Sequence, residues 1–227
     1  MGWGLSSDTV TLICAVPGAK CLCRVPFKLM NATAAILVGG QARRLGGRLK
    51  PALAIGAETI IERQLAAIRD AGSTEILMIG RWPAPAIAGL RHFPDVIDGA
   101  GALGGLYSAL LLATSSTVLV LAGDLPFISA QLLRQLDTMG AGHDAVVPRI
   151  DGRWHPLCAA YRRTVAGAIK QRIAHGRLRV TDALSDMRVR ELSADDLRRL
   201  DPSGMLLMNV NTPDDYRHAA HFAQARS

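Results

Sequence analysis

A lysine, two aspartates and a set of glycines carry the spacing of a phosphate-handling site. Leu37-Val38-Gly39-Gly40 closes an apolar run, and Gln41-Ala42-Arg43-Arg44-Leu45-Gly46-Gly47-Arg48-Leu49-Lys50 follows. Glycine has no Cβ, so a ligand can approach the backbone of Gly39, Gly40, Gly46 and Gly47. Unpaired N–H groups beside cations attract phosphate. Arg44 and Lys50 are the cations suited to charge building on a leaving pyrophosphate, while Arg43 and Arg48 read as solvated. The stretch is neither a Walker A loop, which needs Gly-Lys-Ser/Thr, nor a G-x-G-x-x-G dinucleotide fingerprint. Asp98 opens a second glycine-rich stretch, Asp98-Gly99-Ala100-Gly101-Ala102-Leu103-Gly104-Gly105. There it can accept hydrogen bonds from a sugar or base, or help hold a metal. Asp124 stands in Gly123-Asp124-Leu125-Pro126-Phe127, directly after a β-branched run. A lone carboxylate at a strand end suits Mg²⁺, which takes one or two carboxylates plus phosphate oxygens and water.

Other candidates are weaker. His155 precedes Pro156 in an apolar strand and reads as a structural or substrate-shaping histidine. His92, His143, His175, His218 and His221 lack metal-ligand spacing. No Ser, Thr or Cys has a recognisable base partner, so covalent catalysis is not suggested.

The elements that must position these residues alternate. Strands are expected at 33–38, 75–80, within 90–97 with Pro94 inside, and at 117–122, 144–148, 153–161, 189–192 and 206–210. Helices are expected at 58–71, 104–113, 130–139, 162–174, 178–184 and from Thr212 onward. Ser129 and Thr212 are the caps of two of them, and Gly72 closes the first. Such alternation predicts an α/β fold with a mostly parallel sheet and right-handed crossovers. Ligands on such sheets lie outside the carboxyl ends of the strands. The loops 39–50, 98–105 and 123–127 all fall there, which points to one site.

Residues 30–227 read as a single domain. Residues 1–29 read as an N-terminal extension without chemistry, with Met30 as the natural start. Cys14, Cys21 and Cys23 lie in it, and Cys21-Leu22-Cys23 is not zinc spacing. Cys158 reads as a buried core thiol. With no disulfide framework, a reducing cytoplasm is the default. The chain is 49% hydrophobic and 20% charged, as in a soluble globular protein, and no apolar run approaches a membrane span. Its net charge of +7 comes from 22 Arg and four Lys among 26 basic residues. With 4% aromatics there is little material for base stacking, which argues against nucleic acid.

At these loops the sequence resembles the molybdenum cofactor guanylyltransferase family, the MobA-like nucleotidyltransferases. The family's L-A-G-G-x-x-x-R-M-G-G-x-D-K is similar to the run from Leu37 to Lys50. Its D-x-x-G-P-L-x-G is similar to the run from Asp98 to Gly105, and its D-x-P-F/Y to Asp124-Leu125-Pro126-Phe127. Its H-P matches His155-Pro156, and its N-x-N-T-P-E/D matches Asn209-Val210-Asn211-Thr212-Pro213-Asp214. The resemblance implies a three-layer α/β/α Rossmann-like fold of glycosyltransferase-A type. It implies GMP transfer from GTP to the phosphate of the molybdenum–pterin cofactor (molybdopterin), with release of pyrophosphate. Leu37, Val38, Gly39, Lys50, Asp98 and Asp124 would contact GTP, with Asp124 holding Mg²⁺. Asn209 and Asn211 would line the pterin side. A cytoplasmic monomer or weak homo-oligomer is implied, with cofactor-insertion proteins or apo-molybdoenzymes as partners.

Three positions depart from the family pattern. Leu49 replaces the acidic residue before the lysine, Ala102 replaces a proline, and the segment Met78-Ile79-Gly80-Arg81 lacks an asparagine. They leave open a cytidylyl- or other nucleotidyltransferase with a different phosphorylated acceptor, or a non-catalytic nucleotide- or pterin-binding carrier.

Overall fold

The computed structural model describes residues 30–39, 49–83, 86–87 and 90–225. The extension 1–29 with Cys14, Cys21 and Cys23, and Gly40, Arg43, Arg44, Gly46, Gly47 and Arg48, lie outside the described residues.

Strand β1 (Thr33–Leu37) and strand β6 (Thr117–Ala122) pair in parallel at the middle of an eight-stranded sheet. Both are nearly continuous apolar runs because helices cover both faces. Strand β4 (Ile76–Ile79) and the short β5 (Arg91–Phe93) extend the sheet in parallel on one side of β1. On the other side β9 (Cys158–Arg162) runs antiparallel to both β6 and β7 (Ala145–Ile150). The strand β10 (Val189–Leu192) completes that edge, parallel to β7. Strand β8 (Arg153–Trp154) is a hairpin partner of β7.

The two-residue side-chain period divides β1 between two cores. Ala34, Ile36 and Val38 share one core with Ile61, Leu65 and Ile68 of α1 (Ile60–Ala71) and with Leu132, Leu133 and Leu136 of α3 (Ala130–Thr138). Ala35 faces the opposite core, with Leu103, Leu106 and Leu110 of α2 (Gly101–Leu112) and Ile169 of α4 (Ala166–Ala174). The result is the three-layer α/β/α arrangement expected.

Local sequence explains the helix ends. Thr59 and Glu62 form a reciprocal capping box on α1, and Gly72 closes it at φ 89°. Ser129 caps α3 through Leu132 N–H. Thr212 and Asp215 box the start of α7 (Pro213–Gln224), with Pro213 in its first turn.

Several expected elements differ. Residues 206–210 form no strand. Met205, Leu206, Leu207 and Val210 are buried, but the Asp201 carboxylate accepts the Met205 and Leu206 N–H groups. Those donors close a turn instead of joining a ladder. The single strand expected over 153–161 is split into β8 and β9 by His155-Pro156-Leu157, so His155 is not in a strand. Pro94 follows β5 rather than interrupting it. Helix α2 starts at Gly101, which turns most of the second glycine-rich loop into a helical first turn. The helix expected over 162–174 shortens to α4, because β9 continues through Arg162 and a 3₁₀ turn takes Arg163–Val165; the helix expected over 178–184 shortens to α5 (Val180–Ala183), followed by a 3₁₀ turn at Leu184–Asp186. A hairpin of β2 (Ala54–Ile55) and β3 (Glu58–Thr59) precedes α1, and α6 (Ala194–Leu200) begins at a Ser193/Asp196 capping box.

Candidate active site

Asp124 sits just beyond the carboxyl end of β6, in a turn fixed from several sides. Gly123 N–H donates to the Leu37 carbonyl at 2.9 Å, which joins the turn to the end of β1. A Cβ on Gly123 would lie 2.7 Å from Pro51 Cγ, so only glycine fits beneath that ring. Fully buried Gln64 of α1 donates its Nε2 to the carbonyls of Ala122 (2.7 Å) and Leu125 (3.1 Å). Val210 N–H donates to the Asp124 carbonyl at 2.9 Å. The buried 205–210 segment therefore serves to hold this turn.

The side chain of Asp124 meets two sequence-predicted residues directly and a third through Lys50. Lys50 Nζ donates to its Oδ2 at 3.1 Å, and Asn209 Nδ2 donates to its Oδ1 at 3.1 Å. Lys50 Nζ also donates to Asn211 Oδ1. Lys50 stands on the 3₁₀ turn Lys50–Ala52, whose Pro51 packs on Gly123. The Lys50 and Asp124 side chains are 17% and 15% exposed, so the pair is shielded yet open to a ligand. Residues far apart in sequence thus meet in one hydrogen-bonded cluster at the ends of β1 and β6. Leu49 supplies no carboxylate there; its carbonyl closes the 3₁₀ turn by accepting Ala52 N–H.

A cleft of about 160 Å³ opens beside the cluster, lined by Leu37, Val38, Gly39, Lys50 and Asp124 among others. Asp98 is not in its wall; it is exposed on the turn before α2. Asp95 takes the place expected for it. Because β5 ends at Phe93, Asp95 falls at the strand's carboxyl end and Asp98 one turn further out. A Cβ on Gly39 would lie 3.6 Å from Asp95 Oδ2, and one on Gly105 would lie 3.5 Å from Oδ1. Burial, with a smaller contribution from the Asp98 charge, raises the pKa of the Asp95 carboxyl. It has no hydrogen bond or ion pair among the described residues. A half-buried carboxylate without such a partner in a cleft makes Asp95 a candidate functional position. Gly80, at φ 113°, lets the chain pass Gly39: a Cβ there would be 2.7 Å from the Gly39 nitrogen. In the segment 78–81, bare backbone therefore borders the loop where an asparagine was missing.

A second cavity of about 420 Å³ adjoins the cleft at Ala102, Ala122 and Leu157. Trp154, His155, Arg179 and Asn209 line it. Asn209 lines this cavity and meets the cleft only through its hydrogen bond to Asp124, while Asn211 touches the cluster through Lys50 and is otherwise exposed. Burial lowers the pKa of His155 and favours its neutral form. Cys158, at the base, is fully buried and its thiol is pushed up to about 12, as expected of an inert core cysteine. The buried Tyr161 hydroxyl donates to the Pro156 carbonyl at 2.7 Å and steadies the His155-Pro156 segment.

Sequence reasoning missed Asp95, Gln64, Trp154 and Arg179. Asp95 had a signal, a carboxylate next to Pro94, a residue that cannot donate to a ladder and so ends the edge strand expected within 90–97. The Asp151-Gly152 turn pair pointed to the hairpin that carries Trp154. Gln64 had none, since a buried amide in an amphipathic helix looks like any polar position.

An Mg²⁺ ion suits this donor set. One strand-end carboxylate, accessible between a lysine and an asparagine, leaves most coordination to phosphate oxygens and water. Among the described residues no group of three or more His, Cys, Asp or Glu forms a self-sufficient metal cage.

Residues 34–189 match the MobA-like NTP transferase domain. The chain belongs to this family. A relative from Pelotomaculum thermopropionicum, named probable molybdenum cofactor guanylyltransferase, is 34% identical over 86% of this chain and 95% of its own length. The crystal structure of molybdopterin-guanine dinucleotide biosynthesis protein A from Archaeoglobus fulgidus superposes with a TM-score of 0.72 at 25% identity. It covers 85% of this chain and 99% of that one. The 2-C-methyl-D-erythritol 4-phosphate cytidylyltransferase from Thermus thermophilus shares the fold, with a TM-score of 0.66 at 19% identity over 86% of this chain and all of its own. In this nucleotidyltransferase the Lys50–Asp124 pair lies where the strand ends meet the cleft.

Proposed function

We propose that the protein transfers GMP from GTP to the terminal phosphate of molybdopterin, releasing pyrophosphate and forming the guanine dinucleotide cofactor. The observation that carries this reading is the Lys50–Asp124–Asn209–Asn211 cluster at the junction of two cavities. The cleft takes the nucleotide and the larger cavity takes the acceptor. The name carried by the relatives supplies the identity of the two substrates.

The chemistry is an in-line displacement. An acceptor phosphate oxygen forms a bond to the α-phosphorus of GTP, and the bond from that phosphorus to the bridging oxygen of pyrophosphate breaks. The leaving pyrophosphate keeps the electron pair. The protein supplies position and charge, with no covalent intermediate. Lys50 presents an ammonium to the charge developing on the phosphates, and Arg44 adds a second cation. Asp124 orients Lys50 and would hold Mg²⁺, which would supply neutralisation of phosphate charge. Asn209 and Asn211 orient the acceptor phosphate against Lys50 and Asp124. Gly39, Gly40, Gly46 and Gly47, with Leu37 and Val38, offer backbone to the nucleotide, and Asp95 accepts hydrogen bonds from its sugar or base.

In the same reading the protein acts in the cytoplasm as a monomer or weak homo-oligomer. It hands its product to cofactor-insertion proteins or apo-molybdoenzymes. Among the described residues no helix is long and apolar enough to cross a membrane. Pyrophosphate release with GTP, CTP and ATP, each with molybdopterin and Mg²⁺, tests the proposal. GTP is expected to be preferred by at least about tenfold in kcat/KM, equivalent to about 1.4 kcal/mol. A strong CTP preference would replace guanylyl by cytidylyl transfer. Binding of GTP without pyrophosphate release from any acceptor would make the protein a carrier.

A further inference from the structure

The larger cavity carries a feature that phosphate transfer does not require. Strands β7 and β8 are joined at Asp151-Gly152, both with positive φ (48° and 75°), as a tight hairpin demands. This register sets Arg149 directly opposite Trp154. The Arg149 guanidinium lies 4.9 Å from the Trp154 ring centroid and is itself held by Glu191 of β10 at 3.3 Å. The indole is therefore braced by a cation that is braced in turn. Trp154 is only half-buried and lines the cavity.

The neighbouring wall is apolar and unfilled. Leu178, which also lines the cavity, is 40% exposed and is one of three large hydrophobic side chains left exposed among the described residues. Arg179 is the one fully charged side chain in the lining. An indole, an exposed leucine and a few fixed polar groups are the makings of a pocket for a flat, largely uncharged ring. The ionic end of the acceptor already has partners at Lys50, Asn209 and Asn211.

We propose that Trp154 is a specificity residue of the acceptor site, its indole stacking on the planar heterocycle of the acceptor while Arg149 fixes its orientation. The inference rests on the pterin-acceptor reading above. It assigns the ring system to the part of the cavity lined by Trp154 and Leu178, neither of which lines the cleft that holds Lys50 and Asp124. Transfer to phosphorylated acceptors without a flat ring should be correspondingly poor.

The test is steady-state kinetics of the full chain with GTP and molybdopterin, comparing wild type with Trp154→Phe and Trp154→Leu. Leucine keeps apolar volume and removes the aromatic face, so a merely structural tryptophan would tolerate it as well as phenylalanine. Trp154→Leu is expected to raise KM for molybdopterin by about tenfold, within the usual range for a lost stacking partner. KM for GTP and kcat should stay within about twofold. Trp154→Phe should restore most of the acceptor KM. If leucine and phenylalanine give the same acceptor KM as wild type, stacking is overturned while guanylyl transfer stands. If wild type releases no pyrophosphate with molybdopterin, the acceptor reading itself fails and the proposal falls with it.

Discussion

Asp124 uses both carboxylate oxygens on protein donors, one from each half of the site. Replacing it removes the anchor of Lys50 and the carboxylate suited to Mg²⁺ together. Asp124→Ala is expected to lower kcat by at least about a thousandfold, with an unchanged circular dichroism spectrum. Asp95 shows the opposite balance between stability and function. Its folded pKa is raised by burial, so the ionised native form is disfavoured relative to the unfolded chain. The charge therefore costs stability as pH rises through the folded pKa. Asp95→Asn is expected to raise Tm at neutral pH by about 1–3 °C while weakening GTP binding. Calorimetry and a nucleotide titration check the two effects; a variant that loses Tm would mean that Asp95 has a structural partner. His155 titrates with the reverse sign. Burial lowers its folded pKa, so its contribution is present above about pH 6.5 and is lost as pH falls towards the folded pKa. Wild type should lose more stability than His155→Gln between about pH 7 and pH 5, measured by urea unfolding.

At the scale of elements, the buried amide of Gln64 links α1 to the end of β6, where the Asp124 turn begins. Gln64→Leu would leave the Ala122 and Leu125 carbonyls without this donor. It is expected to cost about 2 kcal/mol of stability and to reduce kcat more than KM for GTP, because the turn loses its register. Denaturant unfolding and initial rates measure both. The parts of the fold readable beforehand were those with strong local patterns. Thr33–Leu37 and Thr117–Ala122 are apolar on both faces, and the Ser129 and Thr212 caps lie at the helix starts expected from sequence. Lys50 and Asp124 stood out by type and position and Asn209 and Asn211 only through the family resemblance; the fold brings all four together. What resisted reading depended on tertiary contacts. The 206–210 run is apolar because it is core, and the Asp201 carboxylate turns its N–H groups away from a ladder. Asp98 looked right until β5 ended early enough to bring Asp95 into the cleft. The antiparallel direction of β9 has no local sequence signature, since it follows from its pairing with β6 and β7.

For the whole molecule, that reversed strand organises the two half-sites. It carries the chain from β8 back beside β6, so that His155-Pro156-Leu157 lines the larger cavity next to the turn bearing Asp124. The cleft beside Lys50 and Asp124 and the larger cavity share walls at Ala102, Ala122 and Leu157, and Asn209 of the cavity donates to Asp124 of the cleft. A ligand that binds only the folded chain raises its stability by mass action. GTP with Mg²⁺ at a hundredfold excess over Kd is expected to add about 2.7 kcal/mol, most of it abolished by EDTA and by Asp124→Ala. The most direct test of the central claim follows one phosphorus atom. The protein is incubated with GTP labelled at the α-phosphate, Mg²⁺ and molybdopterin, and the products are separated. The account predicts label in a pterin–guanine dinucleotide in one-to-one ratio with pyrophosphate, and almost none with Asp124→Ala. Label recovered as free GMP, or remaining in GTP while the nucleotide is bound, would contradict it.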